Sequence, residues 1–583
     1  MNLQVRDCHF CYLAAKLVMP GDSLQLNIKA KEQHTYDAIV IGSGISGGWA
    51  AKELCEKGLK VMVLERGKHL AHGDYPTANK DPWEFEHRNM LTEADKISHP
   101  VQSRHYSFRE DTKHFFISDQ ENPYEEIKPF DWVRANIVGG RSILWARACY
   151  RWSDLDFEAN LRDGYGVDWP IRYKDIAPWY DYVESFVGVS GSSEGLPYLP
   201  DGKFLPPFDM NAPEKDFKQR LETRYPDRKA IIGRVANLTA PVKGRGQCQA
   251  RNLCHRGCPW GAYFSTNAST IPAAYATGNL TVRPNALVNR IIYDKDKQRA
   301  TGVEVIDTET KQVTEFYARL IFVNAATVAT TAILLQSTSD RFPNGLGNDS
   351  DQLGRNLMDH HKGVSIDADV DGFEDSYYYG RRPVGIYIPR YYNIQSNEGG
   401  FLRGFHFAGA ALRNRGAADG IGAELKASLS EPGPWQMHLY AYGECLPYPD
   451  NRITLHPDKK DQWGRPIVRV DCSFKENEKA MHAHMVAAGE EMLQSLGYKN
   501  VVAKGVLSAP GNANHEMGTA RMGRDSKTSV LNGFNQMHAV KNVFVTDGSC
   551  MSSISCVNPS ITFMALTARA CDYAVAQLKR GDI

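Results

Sequence analysis

The segment Tyr36-Asp37-Ala38-Ile39-Val40-Ile41-Gly42-Ser43-Gly44-Ile45-Ser46-Gly47 constrains the fold of this chain more than any other. A short β-branched run that stops at glycine reads as a buried strand. A helical stretch from Trp49 to Glu56 follows, closed by Gly58, and a second apolar run, Lys60 to Leu64, ends in Glu65. Strand, glycine turn, helix and strand make a βαβ unit. The glycine spacing suits a dinucleotide. Gly42 permits the tight turn, Gly44 lets a pyrophosphate approach the backbone, and Gly47 lets helix and sheet pack closely. The helix N-terminus offers unpaired N–H groups to the phosphates. Glu65, eighteen residues after Gly47, stands where a carboxylate binds ribose hydroxyls. This fingerprint does not separate NAD from FAD.

With 583 residues the chain is long enough for two or more domains. Lys plus Arg and Asp plus Glu are 68 each, which argues against a nucleic-acid partner and for a neutral substrate. Apolar residues make up 42% and charged residues 23%, as in soluble globular proteins. No apolar run reaches membrane-spanning length, and Met1 to Pro20 lacks the pattern of a signal peptide. Residues 1–34 read as an extension before the first strand, with Cys8 and Cys11 as incidental cysteines.

Beyond the βαβ unit, residues 76–130 form a long polar, aromatic excursion with room for a lid. A second glycine loop follows at Asn136-Ile137-Val138-Gly139-Gly140-Arg141-Ser142, and an amphipathic helix is expected over Arg172 to Glu184. Strands are expected within 281–306 and at Leu320 to Ala326, then a helix through Leu335. Residues 363–475 alternate as in a mostly antiparallel sheet, 476–496 read as a helix, and 543–577 as strand, loop, helix. The fold class is therefore α/β: a Rossmann-like cofactor domain with an inserted second domain. The expected cofactor domain comprises 35–155, 241–360 and 508–583; the substrate domain comprises 156–240 and 361–507.

Near the C-terminus lie Asn512-Ala513-Asn514-His515-Glu516-Met517-Gly518 and Asn558-Pro559-Ser560-Ile561-Thr562. A hydride leaves a carbinol carbon only if the hydroxyl proton leaves as well. A neutral imidazole accepts that proton near working pH, and a carboxamide can hold the same oxygen. An isolated histidine is more often a hydrogen-bonded core residue; its place in this motif favours catalysis for His515. Asn558 followed by Pro559 is also a good cap for a helix from Pro559 to Leu578.

These segments resemble the glucose–methanol–choline oxidoreductase family of flavoproteins. The resemblance runs from about 36 to 577 and includes Glu65-Arg66-Gly67, Gly354-Arg355-Asn356-Leu357-Met358-Asp359-His360 and Val543-Phe544-Val545-Thr546-Asp547-Gly548-Ser549. It implies FAD as cofactor and His515 with Asn558 as the hydroxyl-handling pair. It implies cofactor contacts from Gly42, Gly44, Gly47, Glu65, Arg66, Gly139, Gly140, Ser142, Val288, Asp547, Asn558, Pro559 and Ser560. Ser142-Ile143-Leu144-Trp145-Ala146 holds no histidine, so the FAD is expected to be noncovalent.

Cys248, Cys254 and Cys258 are spaced C-x5-C-x3-C before Pro259. Such endings occur in iron–sulfur ligand runs. The segment is similar to the cluster-binding segment of bacterial FAD-dependent glucose dehydrogenase catalytic subunits, which implies a [3Fe-4S] cluster passing electrons to a cytochrome c-type acceptor. A Cys3His zinc site with His255, or plain thiols or a disulfide, remain the alternatives.

The polar, aromatic middle region suits a pyranose. Candidate substrate contacts are Asn514, Gln436 and His438, with Tyr377, Tyr378, Tyr379 and Tyr440. The whole resembles flavin-dependent glucoside 3-dehydrogenases, which oxidise a sugar hydroxyl to a 3-keto glycoside. Oxidation at another carbon, a pyranose oxidase, or a flavin electron-transfer subunit without turnover are the other readings. Related enzymes ride out of the cell with a small signal-bearing subunit, so the expected location is periplasmic by that route, or cytoplasmic.

Overall fold

The computed structural model describes residues 36–583 apart from 88, 377–382, 414–420 and 431. The N-terminal extension with Cys8 and Cys11, and the candidates Tyr377, Tyr378 and Tyr379, lie outside the described residues.

The βαβ unit seeds the first sheet. It holds β1 (Tyr36–Ile41), β2 (Val61–Leu64), β7 (Leu280–Arg283), β8 (Ala286–Asp294), β9 (Arg299–Asp307), β10 (Val313–Val323) and β18 (Val543–Val545). β7, β2, β1, β10 and β18 lie side by side and parallel. β10 serves two arrangements. Val313–Tyr317 pair antiparallel with β9, and from Ala318 onward the strand runs parallel to β1. β1 is flanked by β2 on one side and β10 on the other, so the crevice beyond its C-terminal end is a topological switch point. The first helix, Ile45–Glu56, packs against the last, Ser560–Arg580. Gly47 permits the close helix–strand approach: a Cβ there would stand 2.0 Å from the Gly42 carbonyl oxygen.

The second sheet is antiparallel, in the order β17 (Lys499–Gly505), β11 (His361–Val370), β14 (Trp435–Gly443), β13 (Phe405–Arg413), β12 (Ile386–Ile388) and β6 (Ile231–Ile232). The helix Glu476–Ser495 covers one face, packing Met481, Met485 and Met492 on Ile366, Met437 and Leu439. This accounts for the strict alternation of β14, where Trp435, Met437, Leu439 and Ala441 are buried and the residues between them are half-open.

A third, small sheet joins β3 (Glu125–Glu126), β15 (Arg452–Lys460) and β16 (Pro466–Asp471). β4 (Val189–Ser190) and β5 (Phe204–Leu205) form a separate pair. Residues 452–471 fall in the range expected for the substrate domain, yet they pack elsewhere. β16 pairs with β3 from the early excursion, and Ile453 and Val468 join a core with Val328 and Ala332 of the helix Thr327–Gln336. The apolar residues of β15 and β16 bury against the cofactor-side helix, which alternation alone does not reveal.

No helix among the described residues is long and apolar enough to cross a membrane.

Candidate functional site

One cavity opens at the switch point. Gly42, Gly44, Glu65, Arg66, Gly140, Ser142, Val288, Asp547, Asn558 and Ser560 line it, and so do Asn514 and His515. Gly47, Gly139 and Pro559 stand behind this surface rather than on it. Gln436 and His438 do not line the cavity; on β14 it is Tyr442 that does.

Its dinucleotide side is built by the two glycine loops. The Gly139 N–H donates to Ser43 Oγ (2.8 Å), which locks one loop to the other. Ser43 donates from its N–H (3.0 Å) and Oγ–H (2.6 Å) to Glu65, and the Gly67 N–H donates to the other oxygen (2.7 Å). Burial nevertheless holds the Glu65 carboxyl above the usual range. A Cβ on Gly44 would meet no protein atom, so the space over that residue is open to a ligand. Two helix N-termini face the cavity, at Ile45 and at Ser560. Asp547 accepts from Thr330 Oγ1 (2.5 Å) and from Ser549. The donor set fits a dinucleotide: amides and helix ends for pyrophosphate, a carboxylate for ribose.

The opposite side holds His515. Asp359 gathers its loop by accepting the N–H groups of Gly511 (2.7 Å), Ala513 (3.1 Å) and His515 (2.9 Å). Burial and the neighbouring Glu516 push the Asp359 carboxyl up to about 7. Glu516 itself is clamped by both terminal nitrogens of Arg141, at 3.1 and 2.8 Å.

The tautomer of His515 follows from its partners. The Ser555 carbonyl can only accept, so His360 carries its proton on Nε2, 2.5 Å away. His360 Nδ1 is then an acceptor, and His515 Nδ1, at 2.8 Å, donates to it. His515 Nε2 is left with a bare lone pair. Burial keeps both rings neutral: His515 is held well below the usual imidazole value, and His360 falls to about 4.

Asn558 is half-buried and lines the same cavity as His515. It does not cap the last helix as expected. That helix starts at Ser560 with Pro559 in the capping position. The Asn558 carboxamide makes no hydrogen bond to the first turn of that helix and lines the cavity instead. Asn514 takes a left-handed φ of 59° and hydrogen-bonds His105, while its buried Oδ1 has no partner.

Sequence reasoning gave no role to His105, Tyr442, Arg141, Asp359 or His360. The last three stand in motifs that were read as family markers only. His105 comes from the aperiodic excursion, which supplies Tyr106, Ser107 and Phe116 to the cavity as well.

Cys248, Cys254 and Cys258 carry free thiols and line a second, small cavity with Trp260 and Tyr263. Burial and the neighbouring thiols raise Cys248 and Cys258 above the ordinary thiol value. Among the described residues no three His, Cys, Asp or Glu side chains gather closely enough for a single metal ion, which removes the zinc site with His255. The three thiols share the lining of that small cavity, and thiols are the donor type iron–sulfur clusters take.

The chain matches two models described as GMC oxidoreductase, over residues 36–362 and 447–567. It is 30% identical to 2-methyl-1,2-propanediol dehydrogenase of Mycolicibacterium austroafricanum, covering 92% of this chain and 94% of the other. It is 25% identical to the fructose dehydrogenase large subunit of Gluconobacter japonicus, covering 95% of this chain and all of the other. The fold is also that of Aspergillus oryzae formate oxidase, with a TM-score of 0.60 at 14% identity over 94% of this chain and 99% of that one. Both matched stretches contribute to the cavity that holds Gly44 and His515, and the chain belongs to the GMC oxidoreductase family.

Proposed function

We propose that this protein is an FAD-dependent dehydrogenase that oxidises a secondary hydroxyl of a sugar or glycoside, at C3 in the first reading. One observation carries it: a histidine with a bare Nε2 faces a cavity whose other wall is a dinucleotide-binding loop.

FAD, when bound, supplies the two-electron acceptor for the carbinol hydride. The site residues are Gly42, Gly44, Glu65, Ser142, Asp547 and Ser560 toward that cofactor. His515 Nε2 accepts the hydroxyl proton, so the substrate loses one hydride and one proton and becomes a ketone. The Asn558 carboxamide holds the same oxygen and fixes which C–H points inward. Asn514 offers its unpartnered Oδ1 to a further hydroxyl. Asp359 holds the backbone N–H of His515 and so fixes the loop that carries the ring. A sugar is supported by the polar Asn514, His515 and Asn558 in the lining and by the fructose dehydrogenase relative; the propanediol dehydrogenase relative supports a smaller diol.

A second element rests on the three thiols. Cys248, Cys254 and Cys258 would hold a [3Fe-4S] cluster, which supplies one-electron relay when bound. A cytochrome c-type acceptor and a small export subunit are the partners this reading calls for.

The decisive experiment is anaerobic mixing of purified flavoprotein with a panel of sugars and diols. Sugars should bleach the flavin spectrum, with NMR of the product locating the new carbonyl. His515→Ala should keep its flavin and lose turnover about a thousandfold. Near-normal turnover in that variant would remove His515 from the mechanism. Iron and sulfide assays with EPR test the cluster separately.

A further inference from the structure

Gln436 and His438 are outside the cavity but not unrelated to it. β14 carries Tyr442, Tyr440, His438 and Gln436 on the face away from the helix Glu476–Ser495. Their rings form an unbroken series from the candidate catalytic imidazole. Centroids are 6.2 Å apart for His515 and Tyr442, 5.8 Å for Tyr442 and Tyr440, and 6.2 Å for Tyr440 and His438. These spacings lie in the range of ordinary ring contacts. The row therefore begins at the cavity wall and runs outward along one strand.

The chemistry of the surface changes along this row. Next to the cavity it is half-buried and aromatic. Farther out it becomes open and mixed. His438 Nδ1 and Asp367 Oδ1 are 2.7 Å apart, and the two side chains are 41% and 43% exposed. Asn500 Nδ2 donates to Asp369 (2.7 Å) on the same face. Two large aliphatic side chains frame these polar groups in the open. Leu412 pairs across from Gln436 and is 45% exposed; Val502 pairs across from Asp367 and is 48% exposed. Water exacts a cost for leaving such aliphatic groups bare in a patch.

Alternating apolar and hydrogen-bonding strips on a sheet face match one ligand chemistry closely. A pyranose presents apolar C–H faces and a rim of hydroxyls. Carboxylate, imidazole and carboxamide side chains at two-residue spacing can take hydroxyls from successive rings. From Tyr442 to Gln436 the strand covers about 20 Å, the length of several linked pyranose rings. Charge on this face is mixed rather than one-sided, since Lys504 lies across from Ser365 beside Asp367 and Asp369. That favours a neutral sugar chain over a polycation or polyanion.

We infer that the outer face of β14 and β11 is an extended carbohydrate subsite, so that the preferred substrate is an oligosaccharide or long glycoside. One end sits at His515, and the remaining rings lie over Tyr440, His438 and Leu412. The inference rests on the proposed sugar dehydrogenase activity and adds the length of the substrate to it.

The test compares kcat/KM across glucose oligomers, both α-1,4 and β-1,4 linked, from the methyl glucoside to the tetrasaccharide. In at least one linkage series kcat/KM should rise about tenfold with length, the worth of one or two net hydrogen bonds. In His438→Ala and in Leu412→Asp, the ratio of tetrasaccharide to monoglycoside kcat/KM should fall back to about one. Both residues are half-exposed, so these variants are expected to fold; circular dichroism and flavin content check this. Equal kcat/KM at all lengths in both series overturns the subsite and leaves sugar oxidation standing. An unchanged ratio in both variants overturns the assigned face. Failure of every sugar, short or long, to reduce the flavin sinks the dehydrogenase reading and the subsite with it.

Discussion

At the scale of single residues, the relay Ser555 carbonyl, His360, His515 decides what the site can do. Neither a pKa nor a motif gives a histidine its direction; the hydrogen bond on the far nitrogen does. Replacing His360 with phenylalanine should keep the packing and remove the acceptor for His515 Nδ1. The His515 ring would then divide between tautomers, and kcat should fall about a hundredfold with flavin content unchanged. Nitrogen-15 NMR of the ring checks the cause: wild type should show a bare Nε2, and the variant an averaged signal. A variant with wild-type ring shifts but low kcat would place the defect elsewhere. His515 was legible in the sequence because its motif is specific. His360 stood in a quoted motif, yet its role was not legible, since its partner Ser555 is 195 residues away and is engaged through a backbone carbonyl that no side-chain pattern encodes.

Elements show the same division between local and distant information. The strand, turn and helix of Tyr36–Glu56 could be read from spacing alone because the Gly42–Gly47 approach that closes the turn lies within the unit. Gly47→Ala should therefore be costly: its methyl would meet the Gly42 carbonyl at 2.0 Å. Overpacking of this kind costs about 1–3 kcal/mol. Thermal denaturation should show the loss, and the purified variant should carry little flavin; full flavin occupancy would contradict the tight turn. Residues 452–471 illustrate the opposite case. Their strands were legible but their neighbours were not, because alternation reports that one face is covered without saying by what. The last helix erred by a single residue for a comparable reason. The helix begins at Ser560, yet Pro559 just before it already has helical backbone, φ −86° and ψ −10°, so an Asn-Pro rule does not separate the two starts.

For the whole molecule, the buried histidines tie stability to pH. His406 is 2% exposed and its Nδ1–H donates to the Cys556 carbonyl (2.7 Å). Burial, with His360 nearby, lowers it to about 3. An unfolded histidine protonates near 6.5. Between those values the unfolded state binds the extra proton, so the contribution of His406 is present above pH 6.5 and is lost as pH falls toward 3. Asp359 and Glu444, both raised to about 7, act in the opposite direction, since the folded state holds their protons. Total stability mixes these effects; a difference between two proteins does not. The stability gap between wild type and His406→Gln should shrink with acidification by about 1 kcal/mol per pH unit below 6.5. Denaturant titrations at several pH values measure it, and a constant gap would show that His406 is charged when folded.

β10 has a consequence in time as well as in space. It lies between β1, made at the start of the described chain, and β18, made near its end. A ribosome adds roughly 5–20 residues per second. The glycine turn thus leaves the exit tunnel on the order of 25–100 s before β18 and the loop bearing Asn558 do. Once β10 has itself emerged, and until β18 follows, it has an unpaired edge. A nascent chain that captured its cofactor early would hold it in half a site. A chain interrupted between β10 and β18 would lack Asp547, Asn558 and Ser560, and with them one wall of the cavity.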